Sequence, residues 1–391
     1  MEDKRNEDEE LDLSQYSYYL DYNDEQLSPE NNHSEYSSYS KNEKRHYGEL
    51  PSQKPPRKKK KKTLKIILLS LVGVLILTIA AGVIYVDSLF NKIEYDTDTD
   101  LSYNDYTPDI ETNDPDSPNI GNEENETLEN FGGEPMSNPN IKNILLIGRD
   151  TEESKSNARS DVMVLISINK EKQTVKMSSF QRDIYAYIPG KGYDKLNHAH
   201  SYAGPKLTIQ TLEGNFHVKI DNYMSVNFTT FRNIVDILGG VDMNLSAAEA
   251  KYLKNELAAL GYTSFDAGTY HLKGQAALSY CRIRYIDSDR ERTQRHRNML
   301  NAITDQHKSI NLAQAIQLLE QCLPLVKTDF TKGELMSTMV DAISYVQWPR
   351  SEIVMPVEGA SNNATVRGMF VITLDWATNV KALQNFIYGD Q

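Results

Sequence analysis

Apolar and polar positions divide the chain into four stretches. Residues 66–86 are almost unbroken in aliphatic side chains. A run of about 20 such residues is what an α-helix needs to cross the hydrocarbon core of a bilayer. Residues 1–62 before it are polar, and residues 87–139 after it are acidic and rich in turn formers such as Asp114-Pro115, Ser117-Pro118 and Gly132-Gly133. From about residue 140 to 391 apolar positions return with regular periods.

In that last stretch, 141–147 and 162–168 are short continuous apolar runs, the pattern of strands buried on both faces. Segment 174–180 alternates, with Val175, Met177 and Ser179 on one face. Phe231, Ile234, Val235 and Leu238 follow helical spacing and stop at Gly239-Gly240, a helix with a glycine end. Segment 241–245 is then a short strand. Helices are predicted over 246–260, 274–280, 292–307, 313–323 and 332–345, strands over 352–356 and 370–374, and a closing helix over 379–387. Such interleaving predicts an α/β fold, a layered α-β-α domain with a central mixed sheet, preceded by a single transmembrane helix.

Composition sharpens the four-part division. Residues 1–62 hold too little apolar surface to offset the entropy of ordering, so they read as a disordered tail with a tyrosine cluster at Tyr16, Tyr18, Tyr19 and Tyr22. The tail ends in the basic run Arg57 to Lys62, whereas Asp87, Glu94, Asp96 and Asp98 lie beyond the apolar run. By the positive-inside rule the N-terminus is cytoplasmic and the chain after residue 86 is outside the cell membrane. A cleaved signal peptide would be shorter and N-terminal, with a small-residue cleavage site after it. The expected organisation is therefore a cytoplasmic tail (1–62), a single-pass anchor (63–86), a flexible extracytoplasmic stalk (87–139) and one globular domain (140–391). Only two cysteines occur, Cys281 and Cys322, with no zinc-type Cys/His cluster, and a buried free thiol is expected at Cys281.

The net charge is −13, so the arginines of 279–297 are not a by-product of a basic protein. Arg282 and Arg284 lie two apart, and after the acidic turn Asp287-Ser288-Asp289 helical spacing puts Arg292, Arg295 and His296 on one face. Guanidinium forks suit phosphate or carboxylate, although salt bridges to the neighbouring acids would explain the stretch alone equally well. Three strand ends add weight: Arg149-Asp150, Arg159-Ser160-Asp161 and Arg182-Asp183. Carboxylates at such ends can share a hard cation such as Mg²⁺, and the interleaved arginines can clamp a phosphate beside it.

The ordered blocks Asn-Ile-Leu-Leu-Ile-Gly-x-Asp, Arg-Ser-Asp-x-Met, Ser-x-x-Arg-Asp, Lys-x-Asn-x-Ala, Leu-Gly-Gly-Val, Leu-x-Gly-x-x-Ala-Leu-x-Tyr-x-Arg-x-Arg and Arg-x-x-Arg, between about residues 143 and 300, resemble the LytR-CpsA-Psr family. The resemblance implies a membrane-anchored phosphotransferase. It would move a glycopolymer (teichoic acid, capsule or another wall polymer) from polyprenyl pyrophosphate to the muramic acid 6-hydroxyl of peptidoglycan. It implies Mg²⁺ at Asp150 and Asp161. It also implies pyrophosphate binding by Arg159, Arg182, Arg282, Arg284, Arg292 and Arg295, with Asp161, Arg182 and Asp183 catalytic and Asp183 a candidate for proton handling. Two positions depart from the family pattern: Gln181 replaces a usual proline and His296 a usual glutamine. His296 can still donate to phosphate, with a charge that would vary near neutral pH. Two other functions fit the same residues, a membrane-bound transcriptional attenuator and a lipid-pyrophosphate binding protein without turnover. Against the first, the motif-bearing domain is expected outside the membrane. The tail also has no helix-turn-helix pattern, and its basic patch abuts the bilayer, so no nucleic-acid partner is expected.

Overall fold

The computed structural model describes residues 133–389 except 154–157, 262–264 and 285, together with Ile84, Asp87, Ser88 and 90–95. The predicted tail, nearly all of the predicted anchor and most of the predicted stalk lie outside the described residues. Among the described residues no helix is long and apolar enough to cross a membrane.

The centre of the fold is a seven-stranded mixed sheet. Its strands are β1 (Glu94–Tyr95), β2 (Ile141–Arg149), β3 (Ser160–Asn169), β4 (Thr174–Phe180), β7 (Asn222–Val226), β10 (Lys327–Thr328) and β11 (Arg350–Met355). They run in the order β1-β10-β7-β2-β3-β4-β11. β2, β3 and β4 pair antiparallel in succession, while β7 lies parallel to β2 and β11 parallel to β4. Three hairpins stand apart: β5 (Tyr185–Ile188) with β6 (Gly192–Lys195), β8 (Val241–Leu245) with β9 (Gly268–Leu272), and β12 (Ser361–Val366) with β13 (Met369–Leu374).

Alternate side chains of the central strands enter two cores, the pleat's period of two at work. Leu145, Ile147, Met163 and Leu165 pack with residues of α1 (His198–Phe216) and α8 (Trp376–Tyr388), including Leu212, Phe216, Leu383 and Ile387. Ile144 and Ile168 face the other way, onto Leu323, Phe330 and Leu335 beside α6 (Leu312–Cys322) and α7 (Lys332–Tyr345). The layered architecture expected from the continuous apolar runs is thus what forms. A third core joins α2 (Phe228–Ile237), α3 (Ala247–Glu256), α4 (Gly274–Cys281), α5 (Asp289–Gln306) and the β8–β9 hairpin. Gly240, after α2, has φ +97°, and a Cβ there would lie 2.4 Å from Nε2 of His271, so the turn into β8 needs glycine.

Two departures from the expected elements have physical causes. The start of the predicted stalk is part of the sheet: β1 pairs parallel with β10, and Phe90 and Ile93 are 2% and 7% exposed in the second core. Three apolar residues in an acidic stretch are too few for a periodicity to reveal them. Helix α1 was not predicted because Gly204 and Pro205 punctuate it, and Ala203 and Gly204 have non-helical torsions at a kink. The predicted helix 246–260 ends early at Glu256 and continues as a 3₁₀ turn over Ala258–Leu260. Both cysteines are free, and Cys281 is buried.

Candidate functional site

The first residues of β3 and the loop after β4 meet at the carboxylate of Asp161, which is 6% exposed. Its Oδ2 accepts from Nη1 of Arg182 at 3.0 Å, Nη2 of Arg292 at 3.0 Å and Nη2 of Arg284 at 3.3 Å. Its Oδ1 accepts from Nδ2 of Asn197 at 3.2 Å. The backbone fixes this meeting point. Asn197 N–H donates to the Arg182 carbonyl at 3.1 Å, and Ser160 N–H to the Asn197 carbonyl at 3.4 Å, so the loop before α1 stitches the two strand ends together. Burial would raise the Asp161 carboxyl, but Arg182, Arg292 and Arg284 outweigh it and hold the group well below the usual carboxylate range.

Three guanidiniums around one carboxylate exceed what a structural ion pair needs, since one partner already neutralises the charge. Arg182 is braced from behind: its Nε lies 3.4 Å from Asp183, and the other carboxylate oxygen of Asp183 takes Nζ of Lys195 at 2.9 Å. Asp289, at the start of α5, stands 3.6 Å from Arg292 and 3.9 Å from Arg182. Its carboxyl is raised, by burial first and by Asp183 and Asp161 as like charges, against the pull of Arg292 and Arg182.

A polar cavity of about 250 Å³ opens beside this layer, lined by Asp150, Asp161, Tyr252, Glu256, Ser279, Arg282, Arg284 and Arg292. Asp150 reaches it because β2 carries an irregularity between Gly148 and Arg149. A Cβ on Gly148 would meet Cβ of Val162 at 2.8 Å, so glycine lets the two strands close there. Asp150 accepts from Nη2 of Arg159 at 3.3 Å. The guanidinium of Arg282 lies over the Phe228 ring, 4.4 Å from its centroid. Asp161, Arg282 and Arg292 also border a second, apolar cavity of about 310 Å³ between the sheet and α2, α4 and α5. Val164, Met224, Phe231, Ile234, Leu238 and Met299 are among its lining. One wall of charge therefore joins a polar chamber to an apolar one.

Three of the expected residues are placed otherwise than the sequence suggested. Arg295 is 3% exposed, and its Nε donates to Glu249 of α3 at 2.8 Å while its other nitrogens meet Asp287 and the Ile283 carbonyl. It shares a helix with Arg292 but points to another carboxylate set, because a three-residue step turns the helix by about 300° rather than a full circle. His296 is buried against the apolar cavity, where its Nε2 hydrogen-bonds the Cys281 carbonyl at 3.0 Å. Burial, with Arg292 beside it, pushes its imidazole down to about 3, so its charge does not vary near neutral pH as the sequence suggested. Asp183 is 3% exposed, faces Lys195 and Arg182, and is not among the residues lining the polar cavity. Its geometry suits holding Arg182 better than meeting an acceptor's proton.

Other residues of the site carried no assigned role in the sequence. Lys195 and Asn197 belong to the Lys-x-Asn-x-Ala block, which marked them without saying what they touch. Tyr252 and Glu256 lie in a helix with no sequence motif, and only the tertiary fold brings them to the cavity. Among the described residues no group of three or more His, Cys, Asp or Glu side chains could hold a metal. Asp150 and Asp161, the carboxylates that the sequence offered for Mg²⁺, both line the polar cavity. Two carboxylates suffice where phosphate oxygens and water complete the shell of a hard cation.

A family model described as the LytR_cpsA_psr family matches residues 86–382. The polyisoprenyl-teichoic acid–peptidoglycan teichoic acid transferase TagT of Bacillus subtilis (strain 168) is 39% identical over 173 residues, 43% of this chain and 53% of that protein. The corresponding transferase TagU of Oceanobacillus iheyensis is 33% identical over 237 residues, 58% of this chain and 69% of that protein. The match thus spans about half the length of the first relative and about two thirds of the second. Among solved structures, the LytR-CPS2A-psr family protein YwtF (TagT) with bound octaprenyl pyrophosphate lipid superposes with a TM-score of 0.50 at 28% identity, covering 64% of this chain and 91% of that one.

Proposed function

This chain belongs to the LytR_cpsA_psr family, and from that premise we propose that it transfers an anionic glycopolymer from a polyprenyl-pyrophosphate carrier to peptidoglycan. The observation that carries the reading is the convergence of Arg182, Arg284 and Arg292 on Asp161, where the polar and apolar cavities meet. The guanidinium charge that Asp161 leaves over suits a diphosphate, and the apolar chamber suits an isoprenoid chain. The octaprenyl pyrophosphate bound to TagT supports the same class of occupant here.

In the transfer, the oxygen of the muramic acid 6-hydroxyl bonds to the phosphorus that carries the saccharide. The bond from that phosphorus to the bridging oxygen breaks, polyprenyl monophosphate leaves with that oxygen, and the hydroxyl proton is released. Phosphoryl transfer depends chiefly on positioning and on neutralising charge. Arg182, Arg284 and Arg292 do both from a preset geometry, so little reorganisation is needed as charge develops. Asp161 orients them, and a carboxyl held so far below the usual range is a weak base. Lys195 and Asp183 keep Arg182 aimed, Arg282 borders the chamber, and Arg159 holds Asp150 from outside its lining. Mg²⁺ held by Asp150 and Asp161 would neutralise further charge on the pyrophosphate. Residues 63–86 serve as the anchor that keeps the extracytoplasmic domain within reach of a lipid substrate, a reading supported by their length and basic flank.

Calorimetric titration of the detergent-solubilised full chain with polyprenyl pyrophosphate tests this reading. Saturable binding that weakens by at least tenfold in Arg292→Ala supports it. No binding to the unaltered chain would mean that the arginines are purely structural.

A further inference from the structure

Helix α3 presents Glu249, Tyr252 and Glu256 at i, i+3 and i+7, one stripe along a single face. Its start is fixed twice. Ser246 caps it through the Glu249 backbone N–H, and Glu249 returns a bond to the Ser246 backbone. The same Glu249 accepts from Nε of Arg295 at 2.8 Å, which ties α3 to α5, the helix that carries Arg292. The stripe is therefore turned toward the arginine layer, and its next two members, Tyr252 and Glu256, line the polar cavity.

This wall serves neither phosphate nor the isoprenoid chain. A carboxylate repels a diphosphate, and Glu256 and Tyr252 do not border the apolar chamber. Glu256 is exposed and, among the described residues, engages in no ion pair. The residues common to both chambers, Asp161, Arg282 and Arg292, fix where the pyrophosphate must lie if the lipid tail fills the apolar one. What remains of the polar chamber is lined by Asp150, Ser279 and Arg284, and on the α3 side by the half-buried Tyr252 and the exposed Glu256. A ring with an apolar face and a polar edge, beside a charged acceptor, matches a pyranose, which offers an apolar face and several hydroxyl donors.

We propose that Tyr252 and Glu256 form a sugar-binding wall, with the Glu256 carboxylate accepting from pyranose hydroxyls and the Tyr252 ring packing on the pyranose face. The proposal rests on the glycopolymer-transfer reading above. The sugar is either the first residue of the carried saccharide or the acceptor residue of peptidoglycan, and the two can be told apart by binding.

The test titrates the full chain and its Tyr252→Ala and Glu256→Gln variants with three probes: bare polyprenyl pyrophosphate, polyprenyl pyrophosphate bearing a disaccharide, and a soluble muramic-acid-containing oligosaccharide. Thermal melting confirms that each variant is folded, and Tyr252→Phe, which keeps the ring, serves as the conservative control. The proposal expects bare-lipid affinity within twofold of the unaltered chain and a loss of tenfold or more for one saccharide probe, restored in Tyr252→Phe. Loss on the disaccharide lipid assigns the wall to the donor, and loss on the oligosaccharide to the acceptor. Unchanged affinity for both saccharide probes overturns the proposal. So does an equal fall for all three, which would make α3 a prop for the arginines. Failure of the unaltered chain to bind the bare lipid would instead sink the transferase reading, and the saccharide probes would still report on the wall.

Discussion

Arg292 and Arg295 lie three residues apart on α5 with different tasks. Removing Arg292 leaves Asp161 with Arg182 and Arg284, so folding should change little while pyrophosphate loses a partner. Removing Arg295 strands Glu249 and Asp287 beside a buried gap and should cost about 3 kcal/mol or more. Arg292→Ala is therefore expected to weaken lipid binding at nearly unchanged stability. Arg295→Ala should lower stability while retaining most of the lipid affinity, as denaturant titration and calorimetry would report. His296 gives a pH-dependent counterpart. Its folded value of about 3 lies below its ordinary 6.5, so between these values the unfolded chain binds a proton that the folded chain refuses. Stability from this residue is fully present above pH 6.5 and falls with acidification toward 3, at up to about 1.4 kcal/mol per pH unit. His296→Gln should flatten that part of the stability profile. His200, pushed down to about 4 by its burial, keeps a parallel slope in the variant. Asp161 acts lower: its stabilisation is present above the ordinary 3.8 and is lost as pH falls below it. Asp161→Asn should remove that acid limb at the cost of lower stability at pH 7.

At the scale of elements, β1 is a small strand with a large consequence. It closes the sheet edge beside β10, and the residues before it place Phe90 and Ile93 in the core with Phe330 and Leu335. Burying two such side chains is worth about 3 kcal/mol or more. A fragment beginning at residue 96 should therefore melt well below one beginning at residue 84, by scanning calorimetry, and equal melting would make β1 peripheral. Elements with strong periodicity were legible in the sequence: β2, β3, β4, α2, α7 and α8 stand where their apolar spacing put them. β1, the kinked α1 and the strands β5, β6, β7, β9, β10 and β12 were not, because these short strands mix polar residues into their apolar positions and Pro205 reads as a stop. For the site, Asp150, Asp161, Arg282, Arg284 and Arg292 were legible and line one cavity. What sequence could not supply was direction. Only the packing of α5 against α3 turns Arg295 away and buries His296, and only the loop stitched by Asn197 shows what aims Arg182.

For the whole molecule, a net charge of −13 surrounds a pocket that gathers Asp161 from β3 and arginines from the loop after β4, the end of α4 and the start of α5. Four separate segments of the chain supply one anion site, which only the closed fold can assemble. Beside that site lies an apolar chamber, so a ligand with a diphosphate head and a long hydrocarbon tail meets both requirements at once. This junction is proposed to move a phosphorylated saccharide. The most direct test incubates the full chain in detergent with a disaccharide on polyprenyl pyrophosphate and a peptidoglycan oligomer, with and without Mg²⁺, and follows the products by mass spectrometry. The expected products are a saccharide–peptidoglycan phosphodiester and one equivalent of polyprenyl monophosphate, both falling by at least a hundredfold in Arg292→Ala and in Arg182→Ala. Product formed at the same rate by the unaltered chain and both variants would contradict the proposal, because the chemistry would then lie elsewhere on the molecule.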